Sequence, residues 1–588
     1  MMAREPHPVL TPEAPVAMPE RQAAGGRYTR PRRHRRWLPP LLVALLLAQM
    51  AAVMVTTAVQ QTPTIDEPVY VATATDSLRE HRLRYNPEHP PLGKLLIAAG
   101  VAVADPHYDP AYTGTQGEVG RHLLYESGND PWRLMLWARL PVIALTLLCG
   151  LVVFAFARDL AGTAGGLVAL ALYTFSPDVI AHGSLATLDM PATGFVLTSA
   201  WLVWRARRRP VPYLPAAGAA LGAAVATRMS ALPAVPVLMA LAALSVLAAR
   251  RSGPGPSWSV PWGSVPWGSG RAGRLLGGRG RRVLAALGGA AVVAVVAVAV
   301  VWAAYLAVDP RLRFAPAEAV PGPAGLRGRL TELLPLPPAY GAGMRVQFGL
   351  EHYRWQGYLF GRLYTGSRWY YLPAALLVKL PLGLSVLGAA GAAAVLARRR
   401  RRSAAPYLLL LPAVLLAAAM AGSRDFGTRY ALFVPVFLAV AAACAGPLRR
   451  RWCGLPAAAL VLFVAVSSLR TFPYYLPYAN EAFGGPARTH RLLHDSNVDW
   501  GQDLGRLADL LRERHPGERV WLVYKGSGVP SYYGIRAADP RTVPPDRVHG
   551  LLVVSDSAVA KARGRLAELI ASSRPAGDVG RSISLYRR

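Results

Sequence analysis

Much that would direct a reading elsewhere is scarce or missing in these 588 residues. There are three cysteines, Cys149, Cys444 and Cys453, too few and too scattered for a disulfide framework or a metal-ligand spacing. No Gly-rich phosphate loop, dinucleotide fingerprint or HExxH occurs, so the chain has no sign of a nucleotide-binding domain or of a zinc-hydrolase helix. ATP and nucleotide sugars are therefore not expected as direct substrates. Acidic residues number 33 against 65 Lys and Arg, giving a net charge of +32. In a soluble protein such a surplus would suggest a nucleic-acid partner. Here the basic residues fall in short clusters between long apolar runs, and nucleic-acid binding is set aside.

Apolar runs are what the chain does have, with 53% of its residues hydrophobic. Runs of about twenty residues match the thickness of a bilayer's hydrocarbon. They predict about eleven transmembrane helices, near 37–59, 134–157, 162–181, 186–204, 212–227, 230–249, 283–307, 371–397, 405–421, 429–447 and 454–470. The arginine clusters then set orientation. "RPRRHRRW" precedes the first span, and others end at Arg209, Arg251, Arg282, Arg402 and Trp452. With an odd number of spans all of them fall on one side, which the positive-inside rule makes cytoplasmic. The N-terminus, residues 1–36, is expected to be basic, disordered and cytoplasmic, with no cleavable signal peptide, and 250–282 to be a cytoplasmic linker. The polar stretches 60–133 and 308–370 and everything after about 470 then face outward. Residues 471–588 alternate helical and strand patterns and are expected to form a small extracytoplasmic α/β domain, with a helix over "QDLGRLADLLRERH" and strands over "ERVWLVYKG" and "VHGLLVVS". The localisation that follows is a multi-pass plasma-membrane protein of the cell envelope.

The outer side collects the unusual polar residues. Asp66 and Glu67 follow the first span directly, and "NPEHPPLGKLL" then brings two rigid prolines, His89 and Lys94 before a segment, 95–104, too short to cross and suited to lie in the interface. Asp189 stands at the outer start of the fourth span, where a carboxylate also complements the helix dipole. His182 nearby reads as an interface histidine. Arg228 is a lone outer cation between two apolar spans, costly unless paired with a protein carboxylate or a lipid phosphate. Arg424 and Arg429 raise the same question, with Asp425 available to either. Guanidinium suits bidentate phosphate binding. In "HDSNVDWGQDL" the spacing of Asp495, Asn497 and Asp499 starts like a calcium loop, but the glycine comes one residue late and Arg506 stands where a bidentate Glu is required. A local Asx-turn and helix N-cap before Trp500 fit better.

"DEP" after the first span, "HPPLGK", "ATLDMPAT", "WYYLPAALLVKLPL", "FGTRYALFVPV" and "YANEAFGGPARTHRLLHDSNVDWGQDL" together resemble the GT-C class of membrane glycosyltransferases. Within it they resemble the dolichyl-phosphate-mannose-protein mannosyltransferase family and its bacterial phospholipid-carrier-dependent branch. The resemblance runs from residue 64 to about 505. It implies an α-helical polytopic GT-C fold and a hexosyltransferase that moves a sugar, mannose by the family's habit, from a polyprenyl-phosphate donor to an acceptor hydroxyl outside the cell. It also implies inverting general-base catalysis with Asp66 as the catalytic acid–base residue. Glu67 and Asp189 complete the implied catalytic carboxylates. Arg228, where relatives often carry Lys, takes the donor phosphate with Arg429 and Lys94, and His89, Arg424 and Asp499 line the substrate loops. The acceptor is a protein, lipid or glycan, with protein glycosylation the family's role. No cofactor is certain, and a divalent metal is the one addition the chemistry admits. The alternatives are a lipid or sugar-lipid flippase, which calls for ionisable groups deep within spans and related halves, and a sugar-binding membrane protein without activity.

Overall fold

The computed structural model describes residues 37–249, 278–446 and 451–588. The expected N-terminal tail, most of the cytoplasmic linker and the side chain of Cys453 lie outside the described residues. Cys149 and Cys444 are buried free thiols.

Helices dominate, and their ends follow from proline and capping chemistry. α1 (Leu38–Gln60) begins on Pro39 and Pro40, where a missing N–H costs nothing, and gives way before Pro63. Then come α2 (Glu67–Arg79), α3 (Pro91–Ala104) and α4 (Gln116–Arg121), the last closed by a Thr115–Glu118 capping box. α3 covers the short apolar segment 95–104 and is helical, as expected. Asp105, left-handed at φ 47°, and Pro106 end it. α5 (Pro131–Thr174) is capped by Asp130, which accepts from Trp132 N at 2.9 Å. Gly162, at φ 80°, breaks α5 and so separates the two spans expected at 134–157 and 162–181.

Five further helices, α6 (Pro177–Gly183), α7 (Asp189–Ala206), α8 (Pro210–Thr227), α9 (Ala234–Ala249) and α10 (Gly278–Val308), complete the first half. α8 packs on α10 through Gly218 and Gly222. A Cβ on either would stand 2.8 Å from Val293 O or 2.5 Å from Ala297 O. Close approach at small residues is how membrane helices gain packing without a hydrophobic drive. The polar segment 308–370 folds as α11 (Gly325–Leu333), α12 (Pro338–His352) and an antiparallel hairpin of β1 (Gln356–Leu359) and β2 (Arg362–Thr365).

The expected span 371–397 is two helices, α13 (Tyr371–Lys379) and α14 (Leu382–Ala397), bent by 117°. Pro381 removes a donor and forces Leu380 out of the helical region, so a single apolar run could not stay straight. α15 (Leu411–Met420), α16 (Phe433–Ala442) and α17 (Arg451–Thr471) follow. A helix thus stands at each expected span. Among the described residues five are long and apolar enough to cross alone, or six with the bent pair counted as one.

The C-terminal strands form one sheet in the order β4-β3-β5-β7-β6. β3 (Val520–Val523) runs parallel to β4 (Ala537–Ala538) and β5 (Leu551–Ser555), while β6 (Arg574–Val579) and β7 (Ile583–Arg587) close it antiparallel. α18 (Leu504–Arg514) covers the sheet with Leu504, Leu507, Ala508 and Leu511, one helical stripe. Strands and helix fall where the sequence predicts. The core divides at about residue 503. Tyr475, Leu476, Leu493, Val498 and Trp500 pack into the main helical core, and the sheet's own core begins at Leu504.

Candidate active site

A cavity of about 1000 Å³ opens among α2, α7, α12, α15 and the segments just before α9 and α16. Its walls include Asp66, His89, Asp189, Arg228, Arg424 and Arg429, six of the residues singled out in the sequence. Backbone bonds fix the loop that carries Asp66. Thr62 N donates to Gln502 O and Ile65 N to Trp500 O, both at 3.0 Å, so the segment leading into the C-terminal domain holds the loop as a short strand would.

Asp66 is partly exposed, and its Oδ2 receives Arg429 Nη1 at 2.5 Å. Arg429 is held from its other faces as well. Its guanidinium carbon lies 4.4 Å over the Trp500 ring, and Nη2 reaches Tyr430 OH at 3.2 Å. Arg228, whose extended backbone interrupts the helix between α8 and α9, forms an ion pair with Asp189, the first residue of α7. Arg228 and Arg429, the cations expected to need partners, therefore have protein carboxylates. Asp425 pairs with neither arginine near it, contrary to expectation. It accepts from Tyr364 OH at 2.7 Å and Arg368 N at 2.8 Å, while Arg424 reaches Glu351 at 3.5 Å and Gln347 at 2.5 Å.

Three of the expected residues lie off the cavity wall. Glu67 is fully buried. Arg139 Nε and Nη2 donate to its two oxygens at 2.8 and 2.7 Å, and Thr64 N and Ala186 N supply two further bonds. Burial alone would push this carboxyl up. Arg139 and the backbone donors outweigh it, and it is held below the usual range. With both oxygens committed, Glu67 anchors the loop that bears Asp66. Lys94 lies beneath the His-Pro-Pro turn and donates to Asn86 O at 2.8 Å and His89 O at 2.7 Å, with its ammonium drawn by burial down to about 7 against the opposing pull of Glu88. Asp499 is buried at the junction with the C-terminal domain, where it accepts from Gly501 N and Ser557 N, each at 3.2 Å. The expected Asx-turn is present at Asp499, but the expected helix cap before Trp500 is not: α18 begins only at Leu504, and Asp503 before it makes no side-chain cap bond. His182, expected at the interface, is fully buried edge-on to Trp500.

Several neighbours of the site were not singled out from sequence. Lys379 and Asp178 form a fully buried pair at 3.1 Å, and Thr428 Oγ1 also donates to Asp178 at 2.9 Å. Asn497 accepts from Thr428 N at 3.1 Å and donates to Tyr371 OH at 2.9 Å. Tyr70, one turn after Asp66, faces the cavity with its hydroxyl pushed up by burial and by Asp66. A lone Lys in "LLVKLPL" is costly in an apolar run unless paired, and that was the available signal.

Among the described residues no three His, Cys, Asp or Glu side chains converge as metal ligands. Asp66 and Asp189 each face an arginine, a donor set that does not suit a divalent cation.

The model of the family described as dolichyl-phosphate-mannose-protein mannosyltransferase matches residues 43–253, a stretch that holds Asp66, His89, Asp189 and Arg228. No curated protein sequence matches the chain. Among solved structures, the chain is similar to ArnT from Cupriavidus metallidurans in the apo state, at 15% identity over 94% of this chain and 98% of that one, with a TM-score of 0.44. The same protein bound to undecaprenyl phosphate gives 16%, 92%, 97% and 0.43. The protein O-mannosyltransferase Pmt1-Pmt2 complex of S. cerevisiae bound to the sugar donor gives 16%, 47%, 33% and 0.34. The resemblance read from the motifs thus has a match in residues 43–253, where the chain is similar to the dolichyl-phosphate-mannose-protein mannosyltransferase family.

Proposed function

We propose that the protein transfers a sugar from a polyprenyl-phosphate donor to an acceptor hydroxyl, in one inverting step, within this cavity on the extracytoplasmic side. The observation that carries the reading is the meeting of Asp66 and Arg429 at 2.5 Å on the wall of a large cavity that also holds the Asp189–Arg228 pair. A partly exposed carboxylate and two guanidinium groups are the chemistry that such a transfer calls for. Val196, Leu415, Ala418 and Phe433 line the same cavity and suit the first prenyl units.

In the proposed step the acceptor oxygen attacks the anomeric carbon and its proton passes to Asp66. The bond from that carbon to the phosphate oxygen breaks, and the phosphate leaves with the electron pair. A positioned base contributes about 10²–10⁴-fold. The leaving phosphate gains negative charge, and Arg429 and Arg228 are placed to stabilise it, each exchanging part of its bond with Asp66 or Asp189 for one with phosphate oxygen. No carboxylic acid is required on the leaving side, because a phosphate departs unprotonated. The match of residues 43–253 makes mannose the first sugar to test and a protein hydroxyl the first acceptor.

Purified protein incubated with a panel of polyprenyl-phosphate sugars and with protein, glycan and lipid acceptors should release polyprenyl phosphate and give one glycosylated product by mass spectrometry. Movement of intact sugar-lipid between the leaflets of proteoliposomes, with no product, would replace the transferase reading by the flippase.

A further inference from the structure

Asp66, Asp189 and Glu351 on the cavity wall each pair with an arginine, and a further carboxylate there, Glu88, forms no ion pair among the described residues. Glu88, nine-tenths buried, accepts on Oε1 from Asn86 Nδ2 at 2.8 Å and from Gln116 Nε2 at 3.0 Å. Asn86 Nδ2 also donates to Gln116 Oε1 at 3.0 Å, so each amide fixes the other's orientation. All three side chains line the cavity that holds Asp66. The backbone behind them is held rigidly. Lys94 ties Asn86 O to His89 O, and Gln347 Nε2 donates to Glu88 O at 3.1 Å. The His89 ring stands in the same wall with Nδ1 buried and unpartnered.

Two neutral amides bond one oxygen of Glu88, and no hydrogen bond is made by the other oxygen of this cavity-lining side chain among the described residues. A carboxylate kept in that way, without an arginine, is a strong acceptor for hydroxyl hydrogens. Phosphate would be repelled by it. From this geometry we infer that Glu88, with Asn86, Gln116 and His89, forms a hydroxyl-recognition subsite. Its ligand is the polyhydroxyl face of a sugar, presented opposite the arginine pairs that would take the phosphate. The inference rests on the proposed transferase reading and adds to it the wall that distinguishes a sugar-bearing donor from the bare lipid carrier. Those hydroxyls could belong to the donor sugar or to a glycan acceptor, and the assignment made here is to the donor.

Binding without acceptor separates these sources. Full-length protein in nanodiscs is titrated with polyprenyl-phosphate mannose and with bare polyprenyl phosphate, for the wild type and for Glu88→Gln, Glu88→Ala and Gln116→Ala. The wild type should bind the sugar-bearing lipid more tightly than the bare one. A hydrogen bond to a charged group predicts that the Glu88 variants lose roughly tenfold or more of that preference. They should bind bare polyprenyl phosphate as the wild type does, which also reports that they are folded. Gln116→Ala, with Glu88 retained, should lose a smaller part. Unchanged preference in all folded variants would overturn the subsite. So would an effect that appears only when a glycan acceptor is added, which would place the hydroxyls on the acceptor. A wild type that binds neither lipid would overturn the transferase reading itself, and the subsite with it.

Discussion

Arg429 Nη1 donates to Asp66 Oδ2 at 2.5 Å, joining the residue just before α2 to the entry of α16 across 363 positions of sequence. The pair sets a partly exposed carboxylate against a buried guanidinium on the cavity wall, and in the proposed reaction that guanidinium fork meets the departing phosphate.

If the two arginines take the donor phosphate, Arg429→Gln and Arg228→Gln should each weaken binding of polyprenyl phosphate by roughly tenfold or more, as loss of a charge-assisted pair does. Arg228→Lys should keep more affinity than Arg228→Gln, since the charge survives and only the fork is lost. Titration of the lipid into each variant measures this. Wild-type affinity in both neutral variants would leave the arginines as partners of Asp66 and Asp189 alone.

The Glu67–Arg139 pair gives a stability prediction. Glu67→Gln strands a buried guanidinium, a kind of change that costs about 3–5 kcal/mol. It should lower the thermal midpoint of the solubilised protein strongly. Arg139→Met added to it removes the stranded charge and should recover much of the loss. A Glu67→Gln protein of wild-type stability would mean that the pair is not what anchors the loop.

Asp499 predicts a pH dependence. Burial, first of all, raises its carboxyl to about 7, against Lys525, which lowers it, while an exposed Asp sits near 3.9. Between these values the folded state binds more protons than the unfolded, so this group's contribution falls as pH rises from about 4 to about 7. Below that window the contribution is fully present. Asp499→Asn should remove the dependence. Thermal midpoints at pH 5 and pH 7.5 should differ more for the wild type than for the variant, and equal differences would refute the assignment.

An accessibility test addresses the orientation. In a cysteine-free background, exposed Arg362→Cys and Tyr532→Cys should react with an impermeant thiol reagent on intact cells, and exposed Arg208→Cys and Arg400→Cys should not. Labelling of the last two from outside would reverse the proposed topology.

Helix positions were legible because hydrocarbon thickness writes itself into apolar run length. The amphipathic stripe of α18 and the two buried strands were legible for the same reason, that periodicity records burial. Pairing was not. That Arg139 would meet Glu67, or Lys379 meet Asp178, depends on which helices lie side by side, and no local pattern carries that information. The lone outer cations announced that partners must exist without naming them. Asp425 was the nearest carboxylate in sequence to Arg424 and Arg429, and through-space geometry gave it to Tyr364 instead. Glu88 was hidden within the His-Pro-Pro turn, because its importance lies in the amides that Asn86 and Gln116 bring to it.

In the proposed reaction Asp66 takes the acceptor proton. Asp66→Asn keeps the shape of the side chain and an oxygen for Arg429 but loses the proton acceptor. With polyprenyl-phosphate mannose and the acceptor found in the product screen, turnover of the folded variant should fall by roughly 10²-fold or more, while its affinity for the donor stays near that of the wild type. Turnover near the wild-type rate in folded Asp66→Asn protein would contradict the account.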